Sequence, residues 1–107
     1  MLPRPHLGLA LIDTGASITA VDEAVLQGLG LNATSVIEVE VPGGNAPRLL
    51  YECDITLSGT PIPVLPLNTV VGIGLAHLGY SALIGRDLLR QFQLVYNGAE
   101  GFWTLAF

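Results

Sequence analysis

Residues 11–17 read Leu-Ile-Asp-Thr-Gly-Ala-Ser, and this stretch decides how the rest of the chain is interpreted. Leucines alternate with other apolar or small residues over Leu7–Ile12, which predicts a buried strand that runs directly into Asp13. Gly15 then permits a sharp turn. The pattern therefore places a carboxylate at a strand end, where its simplest role is to accept backbone N–H bonds within the turn.

A second informative segment, Ile-Gly-Arg-Asp-Leu-Leu at residues 84–89, follows about 70 residues later. Ala82–Gly85 reads as a short apolar strand closed by glycine, and Arg86–Phe92 reads as a short helix that packs inward. Asp87 is then expected at the helix N-terminus, where it complements the helix dipole and is not a catalyst.

Between these segments the sequence predicts a helix and a long hairpin. Apolar residues at helical spacing cover Asp22–Leu29, with acids at the start and glycines at the end. Apolar and polar residues then alternate over Ile37–Val41 and again over Tyr51–Leu57. The tip of this hairpin is expected at Pro42–Asn45, which contains two glycines.

The remaining segments complete a mostly β domain with two short helices. Residues 61–71 read as an extended segment with irregular edges, because prolines cannot donate to a strand ladder. A terminal hairpin is expected from residues 94–96 and 102–107. Its apolar side chains are predicted to lie in the core or in a dimer interface, namely Phe102, Trp103 and Phe107.

Composition limits the function classes. The 107 residues form one domain, spanning 1–107, and only 12% of them are charged against about 25% in an ordinary domain, which suggests self-association. A net charge of −5, with four arginines and no lysine, excludes a nucleic-acid partner. No run of about 20 apolar residues occurs, so no membrane insertion by this domain is expected. The single Cys53 and the lack of a signal peptide favour the cytoplasm.

Three further features are assigned structural roles. Cys53 lies on the apolar face of the hairpin and is predicted to be a buried, inert thiol. His6 and His77 lack a metal-ligand spacing, so no metal is expected. The Gly-Ile-Gly at residues 72–74 fits a dinucleotide-binding turn poorly and is interpreted as flexible loop.

Taken together, the Asp-Thr-Gly loop, the helix, the hairpin, the Ile-Gly-Arg-Asp-Leu-Leu segment and the terminal strand resemble the retropepsin family. These are the single-domain aspartic proteases of retroviral type and their relatives. The resemblance covers nearly all of Leu9–Phe107 in the expected order. It implies an all-β closed barrel, the acid-protease fold, with one or two short helices, working as a homodimer.

The chemistry of this family requires two carboxylates that share a proton, one to deprotonate a water and the other to protonate the peptide carbonyl. The chain has a single Asp-Thr-Gly, so the resemblance implies that Asp13 meets Asp13 of a second copy across a two-fold axis. By the same resemblance, Thr14 locks the two loops together and Gly15 offers its carbonyl to a peptide substrate. No cofactor is implied.

The resemblance also implies a substrate surface and a flap. The hairpin tip resembles the flap that closes over a bound peptide, and its glycines allow the motion. The positions that would contact substrate are Leu11, Ala16, Ser17, Gly43, Gly44, Ser81 and Leu83.

Two departures from the family pattern stand out. Only twelve residues precede Asp13, where retroviral members carry a longer segment, so either the chain is a trimmed piece or its dimer contacts are built differently. Ser17 occupies the position of the acid that pairs with the helix arginine in viral members. Arg86 therefore needs another partner, either Asp87 or an acid across the dimer.

These departures leave two alternatives to an active aspartic endopeptidase. One is a catalytically inactive dimerisation or peptide-binding module with the same fold. The other is an inactive fragment whose fold is completed by flanking sequence.

Overall fold

The computed structural model describes residues 4–106 of the chain. In chain order its elements are strand β1 (Ala10–Ile12), strand β2 (Ala20–Asp22), helix α1 (Glu23–Gly28), strand β3 (Ser35–Val41), strand β4 (Gly44–Ile55), strand β5 (Leu65–Ile73), a 3₁₀ helix (Ala76–Leu78), strand β6 (Ala82–Ile84), helix α2 (Arg86–Leu89), strand β7 (Gln93–Asn97) and strand β8 (Phe102–Ala106). Strands make up 46% of the structure. The predicted mostly β class with two short helices is therefore confirmed.

Six of the strands form one mixed sheet in the order β1-β6-β2-β5-β4-β3. β6 runs parallel to β1 and antiparallel to β2, so it lies between two strands that are consecutive in the chain. The connection between β1 and β2, residues 13–19, must therefore pass across the end of β6. We call this connection the Asp13 loop.

The predicted closed barrel is wrong for the described residues. β1 and β3 are the two edges of the sheet and do not pair with each other, and β7 and β8 form a separate two-stranded sheet. Closure requires the backbone groups of one edge strand to pair with those of the other. β1 has three residues against seven in β3, and the terminal hairpin pairs with itself.

The core lies where the two helices pack on the sheet. Leu26 of α1 and Leu88 of α2 are fully buried against Val70 of β5 and Ile84 of β6. Both helices lie within their predicted ranges, but α2 ends at Leu89 and Phe92 packs against the core from the following turn. No helix among residues 4–106 is long and apolar enough to cross a membrane.

The predicted hairpin is confirmed and is longer than expected. The pairing of β3 with β4 begins with Ser35 opposite Leu50 and ends with Val41 opposite Gly44. The turn between the strands therefore contains only Pro42 and Gly43. Gly43 has a φ of 92° and Gly44 a φ of 142°, which side chains other than glycine rarely adopt.

Two local predictions are corrected. The strand expected over Leu7–Ile12 is confined to Ala10–Ile12, at the edge of the sheet, and Leu7 and Leu9 precede it and are 81% and 71% exposed. Gly72 is not in a flexible loop but is buried in β5, where an added Cβ would lie 2.8 Å from Tyr51 Cε1.

The terminal hairpin is confirmed as β7 and β8, while Phe107 lies outside the described residues. Phe102 and Trp103 are about half exposed, so within one chain they are not core residues. Their assignment to a dimer interface stays a prediction.

Candidate active site

Asp13 follows β1 directly and is partly exposed. Its backbone N–H donates to the carbonyl oxygen of Ile84 (2.9 Å), and its Oδ1 accepts the N–H of Gly15 (3.0 Å). The turn bond expected for an aspartate after a strand is therefore present. It fixes the orientation of the carboxylate while leaving the residue at the surface.

The far end of the Asp13 loop is held by a buried polar network. The N–H of Gly85 donates to Thr19 Oγ1 (3.0 Å), whose hydroxyl donates to Asp87 Oδ1 (2.7 Å). The N–H of Thr19 also donates to both carboxylate oxygens of Asp87, at 3.0 and 3.1 Å. Because Thr19 is fully buried, each of these bonds replaces water contacts that it has lost.

The middle of the loop is held by Arg86. Its guanidinium donates to the carbonyl oxygen of Thr14 (2.8 Å), and its backbone N–H donates to that of Ala16 (2.8 Å). The expectation that Arg86 pairs with Asp87 is corrected, because a backbone carbonyl accepts from the guanidinium instead. The Asp13 loop is thus attached at its start, middle and end to the β6–α2 segment.

Asp87 lies in the first turn of α2, as predicted, and also accepts the N–H of Leu88 (2.8 Å). Its bonds to Thr19, 68 residues away, were not predicted. The available signal was a threonine within the otherwise apolar run Ile18–Val21, because a polar residue in a buried position needs a partner.

An apolar surface lies beside Asp13. Leu11 lies two residues before Asp13 in the chain. It pairs with Leu83 across the parallel ladder of β1 and β6. Leu11 is exposed and Leu83 is partly exposed. The structure therefore brings together the predicted substrate residues of the strands and of the loop, which are Leu11, Leu83, Ala16 and Ser17, with Thr14 and Gly15 between them.

The other predicted substrate residues lie outside the Asp13 loop and outside the paired residues of β1 and β6. Ser81 precedes β6, roughly 10 Å along the strand from Ile84, and its hydroxyl is 3.1 Å from His6 Nε2. Gly43 and Gly44 form the tip of the β3–β4 hairpin, whose two strands lie five and four positions from β1 in the order of the sheet.

Two surface concavities lie away from Asp13. One, of about 350 Å³, lies between residues 4–6 and α1. The other, of about 370 Å³, lies between Glu23, β4 and the end of β5. Asp13 lines neither of these two concavities.

The described residues offer no site for a metal ion, since no three His, Cys, Asp or Glu side chains among residues 4–106 lie close enough together. Burial, followed by the negative charge of Asp54, raises the pKa of the Cys53 thiol from 9.0 to about 11. The raised pKa agrees with the prediction of an unreactive thiol, because the thiolate is the nucleophile, but the predicted burial is corrected, since Cys53 is only partly buried.

Comparisons of the chain with protein-family models, curated proteins and solved structures found no match.

Proposed function

We propose that the chain is an aspartic endopeptidase of retropepsin type, which hydrolyses peptide bonds as a homodimer. The observation that supports this most is the three-point attachment of the Asp13 loop, which leaves the Asp13 carboxylate at the surface. A buried network of Thr19, Gly85 and Asp87 holds the loop, so Asp13 itself is available for chemistry.

The reaction would use Asp13 from each of two copies. Two carboxylates a few ångströms apart do not both ionise easily, so the pair holds one proton over part of the acidic range. The ionised carboxylate takes a proton from a water, the water oxygen attacks the peptide carbonyl carbon, and the protonated carboxylate donates to the carbonyl oxygen. No group beyond the two side chains and the water is required.

The substrate would be an extended peptide with apolar side chains. Leu11 and Leu83 give an apolar surface beside Asp13, and Ala16 and Ser17 are small enough for a peptide backbone to approach the loop. In the proposed dimer, Gly43 and Gly44 allow the β3–β4 hairpin tip to move over the bound peptide as a flap.

A peptide-binding module without turnover is the second candidate. It is favoured by the single Asp-Thr-Gly of the chain, which by itself provides one carboxylate where the reaction requires two.

Peptide turnover by the wild type and by Asp13→Asn distinguishes the two candidates. A mixed peptide library is incubated with each protein from pH 3 to 8, and products are identified by mass spectrometry. We expect a bell-shaped pH profile for the wild type, and a loss of at least about 100-fold in Asp13→Asn, because an amide cannot act as the base. Glu52→Gln, which neutralises an exposed acid on β4, is the matched control and should leave turnover unchanged.

Mixing the two proteins tests whether the dyad is shared between copies. When equal amounts are unfolded and refolded together, about one quarter of the dimers carry two intact Asp13 residues, so activity should fall to about one quarter of the wild-type value. A fall to about half would mean that each chain works alone. Turnover that survives Asp13→Asn would contradict the endopeptidase, and peptide binding without turnover would support the binding module.

A further inference from the structure

Asp22 is a buried carboxylate that the proposed reaction does not use. It is the last residue of β2 and the residue before α1, and it is 6% exposed. An acid in this position ordinarily caps the helix that follows it by accepting N–H bonds from the first turn. Buried carboxylates need such partners because burial removes their contacts with water.

The side chain of Asp22 does not cap α1. The helix has no side-chain capping bond at its start, and Asp22 Oδ1 instead accepts the N–H of Leu75 (2.8 Å), 53 residues away in the chain. The Asp22 side chain therefore binds the backbone of Leu75 and leaves the first turn of α1 without a side-chain cap. Local rules of this kind are broken most often where a residue serves a function.

The backbone of Asp22 holds the other end of the same loop. Its N–H donates to the carbonyl oxygen of Ser81 (2.8 Å). One residue thus binds both ends of residues 75–81, which with Gly74 make up the connection between β5 and β6. We call residues 75–81 the 75–81 loop.

The 75–81 loop leads into the strand that borders the candidate active site. The N–H of Ser81 donates to the carbonyl oxygen of Leu9 (2.7 Å), and Leu83 two residues later pairs with Leu11 beside Asp13. Leu78, in the middle of the loop, is exposed. Ser81, the last residue of the loop, lies two residues before Leu83 and is bonded to Leu9, two residues before Leu11, so the end of the loop borders the row of residues that carries Leu11 and Leu83.

We propose that Asp22 is a positioning residue that fixes the 75–81 loop and thereby determines which peptide side chains the proposed enzyme accepts. This inference rests on the proposed function. The Asp13 loop is held by the separate network of Thr19 and Asp87, and the bond from Leu75 to Asp22 is not part of that network. Loss of the Leu75 bond should therefore change substrate selection more than the chemical step.

The activity test compares two peptides that differ only beside the cleaved bond, one with leucine and one with alanine. In Asp22→Ala we expect KM for the leucine peptide to rise about tenfold with kcat nearly unchanged, since uniform binding energy is lost. The ratio of kcat/KM for the two peptides should fall accordingly. Asp22→Asn keeps the Oδ1 acceptor and should restore the wild-type ratio. A purely structural role would lower the active fraction and leave the ratio unchanged.

Amide hydrogen exchange tests the clamp without any turnover. The N–H of Leu75 should be protected in the wild type and in Asp22→Asn and should exchange at least about tenfold faster in Asp22→Ala, while the N–H of Thr19 keeps its protection. Unchanged exchange at Leu75 in Asp22→Ala, or an unchanged peptide ratio, overturns the inference. If the wild type binds both peptides but cleaves neither, the endopeptidase fails, and the ratio of the two dissociation constants then decides the role of Asp22 in the same way.

Discussion

Gly85 shows how one residue supports the candidate active site through close packing. A Cβ at this position would lie 2.7 Å from the carbonyl carbon of Ile18 and 2.9 Å from the backbone nitrogen of Thr19. Both atoms belong to the Asp13 loop and cannot rotate away as the end of a side chain can. The contact between β6 and the loop therefore depends on the absence of a side chain.

Gly85→Ala should lower the free energy of unfolding by at least about 2 kcal/mol, because backbone must move to admit the methyl group. Gly28→Ala is the control. Gly28 lies in α1 with nothing within 4 Å of an added Cβ, so alanine there should stabilise by about 0.5–1 kcal/mol. Urea denaturation measures both, and equal effects at the two positions would contradict the packing argument.

The raised pKa of Cys53 should slow the alkylation of its thiol in the folded chain. With its pKa raised from 9.0 to about 11, the folded chain should hold about 100-fold less thiolate than the unfolded chain at pH 8, and iodoacetamide should react correspondingly more slowly. Burial is the larger cause and the charge of Asp54 the smaller, so Asp54→Asn should speed the reaction only in part.

The same shift makes stability depend on pH. The folded state holds the thiol proton more tightly than the unfolded state. The contribution of this proton to the free energy of unfolding is therefore constant below pH 9 and is lost as the pH rises from 9 to about 11. The difference in unfolding free energy between the wild type and Cys53→Ala should therefore shift against the wild type in that window. A difference that stays constant from pH 8 to 11 would show that the thiol is not perturbed.

Asp13, Asp22 and Asp87 also show what sequence can and cannot predict for a single residue. The positions of all three at strand or helix ends were predictable from apolar periodicity and glycines. Their hydrogen-bond partners were less predictable, because Asp22 and Asp87 bind backbone groups that lie 53 and 68 residues away in the chain. An aspartate before a helix looks the same in sequence whether it caps its own helix or holds a distant loop.

Among the strands and helices, the β3–β4 hairpin carries the proposed flap. Gly43→Val with Gly44→Val should strain the tip, since both residues have positive φ. We expect slower turnover and weaker binding of a peptide-like inhibitor, with core amide protection unchanged. Gly59→Val is the control, because Gly59 has a φ of 77° in a different turn. If Gly59→Val lowers turnover as much as the double variant does, the β3–β4 hairpin does not act as a flap.

The elements were predicted best where periodicity and turn residues agreed. Helix α1, the hairpin and β6 with α2 follow from spacing and glycines, and the structure confirms them. β1 was predicted as buried, because alternating leucines look alike in a central and an edge strand, and only the sheet order shows which it is. The closed barrel failed for a related reason, since closure depends on pairing between strands far apart in sequence.

For the whole molecule, the question is what covers its exposed apolar surface. In the terminal hairpin, Leu94 pairs with Leu105 and Tyr96 with Trp103 on the same face. Leu105 packs against the core, whereas Tyr96 and Trp103 extend beyond it and are 74% and 53% exposed. Two large aromatic side chains on a face that continues the core are typical of an interface.

We therefore expect a symmetric dimer at micromolar concentration that buries Tyr96 and Trp103. Tyr96→Ser with Trp103→Ser should shift the chain to monomer in sedimentation velocity and reduce turnover in the same proportion, because the proposed dyad needs Asp13 from both copies. The fold should survive, since neither side chain is buried in the single chain.

Val64→Ser is the matched control for this surface, because Val64 is 53% exposed in the segment before β5, outside the terminal hairpin. It should leave both the dimer and turnover unchanged. Dilution gives an independent check: for a shared dyad, turnover per chain must fall once the concentration drops below the dissociation constant of the dimer. Turnover per chain that stays constant while sedimentation shows only monomer would contradict both the interface and the shared dyad.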